Sequence, residues 1–197
     1  MRRYNFLHSA ILIALLGTLS HANSDGFYIG AETTIAGFGD ESLKVTNKDK
    51  TTTTYKDIEY GHCNIKVGYQ HFQGNRVEFY YRYNNLDPKV GDITTKTFGI
   101  NYEWALSSLS TEKVVPYILI GFGGGKASSS KVKSIDKAEV GEGNLGFGVR
   151  YQFNQNIDMQ VGYKHTATGF DKFDNDTTDK TSTIDQNSMM LGVAYKF

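Results

Sequence analysis

Short segments that alternate apolar and polar residues recur along most of the chain. This alternation constrains the fold more than any other feature. In residues 27–35, Phe27, Ile29, Ala31, Thr33 and Ile35 lie on one face, and Tyr28, Gly30, Glu32 and Thr34 on the other. A period of two belongs to a strand with two unlike faces, not to a helix. Residues 76–83, 97–104, 145–153, 157–164 and 189–197 alternate in the same way, and 58–69 and 114–124 read as strands of less certain facing. The total is eight. Glycine (21 residues) and aromatics (13%) add to the β reading, since glycine costs roughly 1 kcal/mol per helical position.

The connections alternate too. Residues 70–75, 107–113 and 154–156 are tight turns, whereas 37–56, 125–138 and 168–185 are long and polar, with 84–92 shorter. Short turns at one end and long loops at the other describe an up-and-down meander. Pro116 at a strand start and Pro88 in a loop stand where sheets tolerate proline.

The first 22 residues read as a cleavable signal peptide. Arg2 and Arg3 precede an apolar run from Phe6 to Leu19, and Ser20-His21-Ala22 supplies a small-x-small exit. The run is too short for a spanning helix, which needs ~20 apolar residues. The expected mature domain is 23–197, with 19 basic against 21 acidic residues. A balanced charge argues against a nucleic-acid partner. The single cysteine, Cys63, supplies neither a disulfide nor a cysteine zinc site, and it falls on an outward face.

Which face looks inward decides the class. One face carries glycines beside Glu32, Arg76, Glu78, Arg82, Glu103, Arg150, Asp158 and Lys164. The other is apolar, with Phe27, Tyr83, Trp104, Tyr151, Phe153 and Tyr163 placed as an aromatic girdle. Turning the charged face outward would cost ~2–4 kcal/mol for each Arg or Lys at the membrane midplane. The expectation is an all-β, eight-stranded antiparallel transmembrane barrel with a charged lumen.

On these residues the chain resembles the OmpA/OmpX-type outer-membrane barrels. Residues 26–31 are similar to the family's first strand, and 77–81 and 148–153 look like its third and sixth. Leu191, Val193, Tyr195 and Phe197 look like the C-terminal signal read by the barrel insertion machinery. The resemblance covers 24–197, without the family's periplasmic peptidoglycan-binding domain. It implies a lumen ion-pair network centred on Glu78 and Arg150, a bacterial outer-membrane location, and lipid and lipopolysaccharide as surroundings. A monomer is expected, with any extracellular ligand met through loops 37–56, 125–138 and 168–185.

Other motifs fail on context. Gly141-x-Gly143-x-x-Gly146 leads into a strand with no βαβ unit around it. Gly121–Ala127 departs from a phosphate loop at both of its ends. Asp171, Asp174, Asp176 and Asp179 lack the calcium-loop glycine. Lipid-A deacylases of this barrel class carry a His-x-Ser motif; His165-Thr166-Ala167 has alanine where serine is needed. No cofactor, metal or catalytic residue is implied. Three readings remain: a plugged barrel serving surface interaction, adhesion or envelope integrity, a low-conductance pore gated by lumen ion pairs, and a lipid-modifying enzyme.

Overall fold

The computed structural model describes residues 25–37, 42–46, 52–56, 59–71, 74–87, 93–129, 138–171 and 181–197. The expected signal peptide, the last three aspartates of the acidic loop and the tips of the long loops lie outside the described residues. Ten strands form one antiparallel sheet: β1 Gly26–Gly37, β2 Ser42–Thr46, β3 Thr52–Lys56, β4 Glu59–Gln70, β5 Arg76–Asp87, β6 Ile93–Ala105, β7 Val114–Ser129, β8 Glu139–Gln152, β9 Ile157–Asp171 and β10 Thr181–Lys196. Eight of these are long. They pair in chain order, and β1 closes onto β10 from Tyr28↔Lys196 to Gly37↔Ser188. The wall is a closed eight-stranded up-and-down barrel. Among the described residues, no helix is long and apolar enough to cross a membrane; the strands do the crossing.

The two short strands correct the sequence reading of 37–56 as a plain loop. β2 pairs with the upper part of β10, Thr181↔Thr46 to Asp185↔Ser42, and β3 pairs with β2. Threonine-rich segments such as Thr52-Thr53-Thr54 look like polar loop by composition, yet threonine is a good strand former.

The long strands also run further than the alternation alone suggests. β7 and β10 have 16 residues each, where a tilted strand crosses a bilayer in roughly 9–11. Residues 84–87, 93–96, 125–129, 139–144, 165–171 and 181–188, read from sequence as loop or left outside the strands, are paired wall. The short-turn end is compact. Gly74, at a φ of +82°, closes the 71–75 turn with its amide on the His71 carbonyl, a backbone shape that favours glycine.

Candidate functional site

Because side chains alternate along every strand, one face of the wall fills the lumen. All eight residues assigned inward from sequence (Glu32, Arg76, Glu78, Arg82, Glu103, Arg150, Asp158 and Lys164) are buried. The structure adds Lys66 and Glu142. Among the described residues the buried lumen therefore holds five acids and five bases, a formal balance of zero.

The charges fall into three clusters. Near the short-turn end, Arg76 grips Asp158 through both terminal nitrogens and donates from Nε to Gln70 Oε1 at 3.0 Å. Arg150 donates to the Gly74 carbonyl at 2.5 Å and to Gln70 Oε1 at 3.3 Å. In the middle, Lys66 lies 3.1 Å from Glu78 and 3.3 Å from Glu32, while Lys164 lies 2.5 Å from the other Glu32 oxygen. Asn64 and Gln160 each donate to Glu32 at 2.8 Å, and Tyr28 and Asn101 donate to Glu78. Toward the loop end, Arg82 pairs with Glu142 at 3.2 Å, and Tyr80 donates to the same carboxylate.

This arrangement corrects the expected central pair. Glu78 is held by Lys66, Tyr28 and Asn101, whereas Arg150 sits 3.6 Å from Glu103 and reaches down to the turn. Parity gives a residue's face but not its height. The tilt of a closed barrel brings different heights of neighbouring strands together.

The lumen glycines have a specific use. Tyr28 stands directly opposite Gly68, Tyr80 opposite Gly99 and Tyr117 opposite Gly148. Each ring folds over its glycine, so a Cβ at Gly68 would come 2.6 Å from Tyr28 Cζ, and one at Gly148 2.6 Å from Tyr117 Oη. Each ring also carries a guanidinium over it: Arg76 over Tyr28 at 4.5 Å, Arg82 over Tyr80 at 5.0 Å and Arg150 over Tyr117 at 5.7 Å. A glycine, a tyrosine and an arginine thus form a unit used three times. It fills the narrow interior while leaving the cations over aromatic faces.

Above Arg82 and Glu142 the interior changes character. Leu86, Ile93, Ala127, Ala138, Val140, Phe170 and Ile184 are buried together inside the loop end of the barrel. Leu86 faces Ile93 directly, and Val140 faces Phe170. The outward positions at this level are Asn85, Thr94, Lys96, Lys126, Ser128 and Glu139. This collar was not foreseen from sequence; it is built like the core of a soluble barrel and caps the charged lumen.

Outside, below the collar, the wall is apolar. Phe27, Trp104, Tyr151 and Phe153 are exposed at the short-turn edge, and Tyr83 is exposed toward the loop end. Tyr163 lies between these levels and donates to Asn187 Oδ1 at 2.6 Å. Leu191, Val193, Tyr195 and Phe197 all stand on the outward face, with Tyr195 and Phe197 in edge contact. Cys63 is exposed on that face. A closed wall with an apolar outer belt and a charge-balanced lumen is built for a bilayer.

The family model described as outer membrane protein β-barrel domain matches residues 8–197. The chain belongs to this family. It is an outer-membrane barrel of the OmpA/OmpX type, so the long-loop end faces the outside of the cell and the short turns face the periplasm. Among solved structures, the barrel is similar to Neisserial surface protein A, with 18% identity and a TM-score of 0.56 over 89% of this chain and all of that one. It is also similar to the outer-membrane protein AlkL (13%, TM-score 0.56, covering 91% and 94%) and to OprG from Pseudomonas aeruginosa (14%, TM-score 0.51, covering 90% and 97%). At these identities the likeness is one of fold. No curated protein matches the chain.

The structure also locates the deacylase-like histidine. His165 Nδ1 lies 2.9 Å from Asn187 Oδ1 on the outward face, and its in-register neighbour on β8 is Leu145. The residue two positions on is Ala167, and Thr168 is turned into the lumen and buried. No serine or threonine hydroxyl shares the face with His165 at the next position. Among the described residues, no group of three or more metal-ligating side chains occurs.

Proposed function

We propose that the protein is a non-enzymatic outer-membrane barrel whose lumen is shut, and which acts through its outer surface. The work is surface interaction, adhesion or envelope integrity. The carrying observation is the stack of a five-against-five charged lumen beneath an apolar collar. An ion entering from outside would have to cross buried apolar groups before reaching any charge, at a cost of several kcal/mol. Function then moves to the loop end, as is general for rigid scaffolds. The segments 37–56, 125–138 and 168–185 are the candidates for an extracellular ligand. Leu191, Val193, Tyr195 and Phe197 serve as the signal for the insertion machinery, the leader 1–22 is removed, and the barrel works as a monomer in lipid and lipopolysaccharide. The deacylase pattern's serine is alanine at 167, and the hydroxyl nearest His165 along its face is the phenol of Tyr163, held by Asn187; this speaks against the enzyme reading.

A second reading has its own observation. Both Glu103 carboxylate oxygens, Tyr117 Oη and Arg150 Nε are buried without a hydrogen-bond partner among the described residues. Buried polar atoms of this kind are commonly satisfied by water, and a hydrated middle lumen could carry a small current if the collar opened. Planar-bilayer conductance of the refolded chain, with a heat-dependent gel shift to prove closure, separates the two. Silence supports the shut lumen; discrete reproducible openings would replace it with the pore. Strains lacking a long loop then divide adhesion, seen as lost attachment, from envelope support, seen as osmotic sensitivity.

A further inference from the structure

We propose that His62 is an acid-sensitive latch on the loop-side half of the seam between β1 and β4. Among the described residues, backbone pairing of these strands runs from Gly26↔Gln70 and stops at Thr33↔Cys63. Both strands extend beyond that pair, β1 as far as Gly37 and β4 back to Glu59. There they part. β1 follows β10, with a register shift between Thr34 and Ala36, while β4 stays on β5 up to Glu59↔Asp87. Two side-chain contacts bridge the parting, and both end on His62. Thr33 Oγ1 donates to the His62 carbonyl at 3.1 Å, and Thr34 Oγ1 shares a hydrogen bond of 2.7 Å with His62 Nδ1. On the outer side Gly61 leaves the parting uncovered, since a Cβ there would meet nothing within 4 Å.

The ring is buried in a polar layer directly beneath the collar. His62 stands opposite Asn84, and Asn84 and Gln186 are the inward residues next below Leu86 and Ile184. Asn84 donates to Gln186 Oε1 at 3.4 Å, yet His62 Nε2, Asn84 Oδ1 and Gln186 Nε2 have no hydrogen-bond partner among the described residues. His62 Nε2 lies 4.0 Å from Glu32 Oε1. This layer suits a neutral ring. A protonated one would face Arg82 from β5 and Lys164 from β9, with Lys66 further down its own strand. The acid nearest to it, Glu32 on β1, already accepts from Lys66, Lys164, Asn64 and Gln160. Glu142 on β8 is taken by Arg82 and Tyr80, and β10 offers only Gln186, Ser188 and Met190 at this height. One proton on His62 would leave six buried bases against five acids, and an uncompensated buried charge is costly. Turning the ring out through the parted seam gives that charge to water. Acid therefore favours the open seam: closure holds above the ordinary titration range of histidine, roughly pH 6.5, and is lost below it.

The test uses the full refolded barrel in phosphatidylcholine nanodiscs, in a Cys63→Ser background with spin labels on Ile35→Cys and Gly61→Cys. Both positions are exposed on the outer face, one on each side of the parting. Dipolar broadening between the labels is read at pH 7.5 and at pH 5.5. With His62 in place, at least half of the broadening should be lost at pH 5.5 and regained on return to pH 7.5. His62→Gln cannot take the proton and should hold full broadening at both values. Thr34→Val keeps the histidine but removes its bond, and should show reduced broadening already at pH 7.5. His71→Gln and His165→Gln should respond as the parent does. The heat-dependent gel shift confirms that each barrel is folded, and Thr34→Val carries the test if His62→Gln is not. Broadening that ignores pH in the parent would overturn the latch. So would a response that survives in His62→Gln, undiminished broadening in Thr34→Val at pH 7.5, or loss of the response in His71→Gln or His165→Gln. The labels report the seam and planar-bilayer conductance at pH 7.5 reports the lumen, so the latch and the shut lumen fail separately.

Discussion

Along β6, Phe98 faces outward and Thr97 inward, whereas a few residues nearer the loops Thr94 faces outward and Ile93 inward. The strand and its period are unchanged, but the chemistry of the two faces has been exchanged. The same exchange occurs between Phe79/Tyr80 and Asn85/Leu86 on β5, and between Phe147/Arg150 and Glu139/Val140 on β8. The lower region is a membrane barrel, with lipid outside and charge inside. The upper region is a water-facing barrel that hides its apolar side chains, as soluble barrels do. Face polarity thus reports the solvent at each height, and the level of exchange marks the upper membrane boundary.

Removing a charge from the lower interior should have the largest effect. Glu32→Ala strips Lys66 and Lys164 of their shared carboxylate, and a buried charge left unpaired costs about 3–5 kcal/mol; urea unfolding in micelles reads it. In the collar the corresponding change is loss of volume. Leu86→Ala should cost about 3 kcal/mol by leaving a cavity, and should speed proteolysis of the loops while the heat-dependent gel shift of the membrane zone persists. The outer face gives a paired test. Ile120→Arg places a cation on the lipid belt at roughly 2–4 kcal/mol. Thr94→Arg, two outward positions above Phe98, should stay within ~0.5 kcal/mol. Equal costs at the two sites would erase the proposed boundary. Between these lies Gly148→Ala, whose Cβ would press on the Tyr117 ring and cost ~1–3 kcal/mol by overpacking.

The lower region was largely legible from the amino acids. There the alternation is sustained over seven or more residues, and inward Glu32, Arg76 and Glu103 contrast sharply with outward Phe27, Val77 and Trp104. Lys66 escaped notice because Gly61, His62, Asn64 and Gly68 blur the two faces of β4. Glu142 escaped because Gly141 and Gly143 flank it, and two glycines give the alternation no outward apolar partner. The pairing of Lys66 with Glu78 was illegible for another reason: register depends on the tilt of the closed wall, a property of all strands together. In the collar each strand offers only one or two inward apolar residues, such as Leu86 or Ile184, among threonine, serine and lysine. One alternation is too short a pattern to distinguish wall from loop. The glycine–tyrosine–arginine units were half legible, since the glycines stood out, but the rings that need them come from neighbouring strands.

The exchange of faces can be measured directly on β6. In a Cys63→Ser background, single cysteines at 94, 96, 98, 100, 102 and 104 would carry spin labels on the barrel in lipid bilayers. Accessibility to oxygen, which partitions into lipid, is compared with accessibility to a water-soluble nickel chelate. The account predicts oxygen-dominated labels at 98 to 102 and chelate-dominated labels at 94 and 96, with the crossover between 96 and 98. Oxygen dominance continuing through 94, or chelate access at 98 and 100, would contradict it.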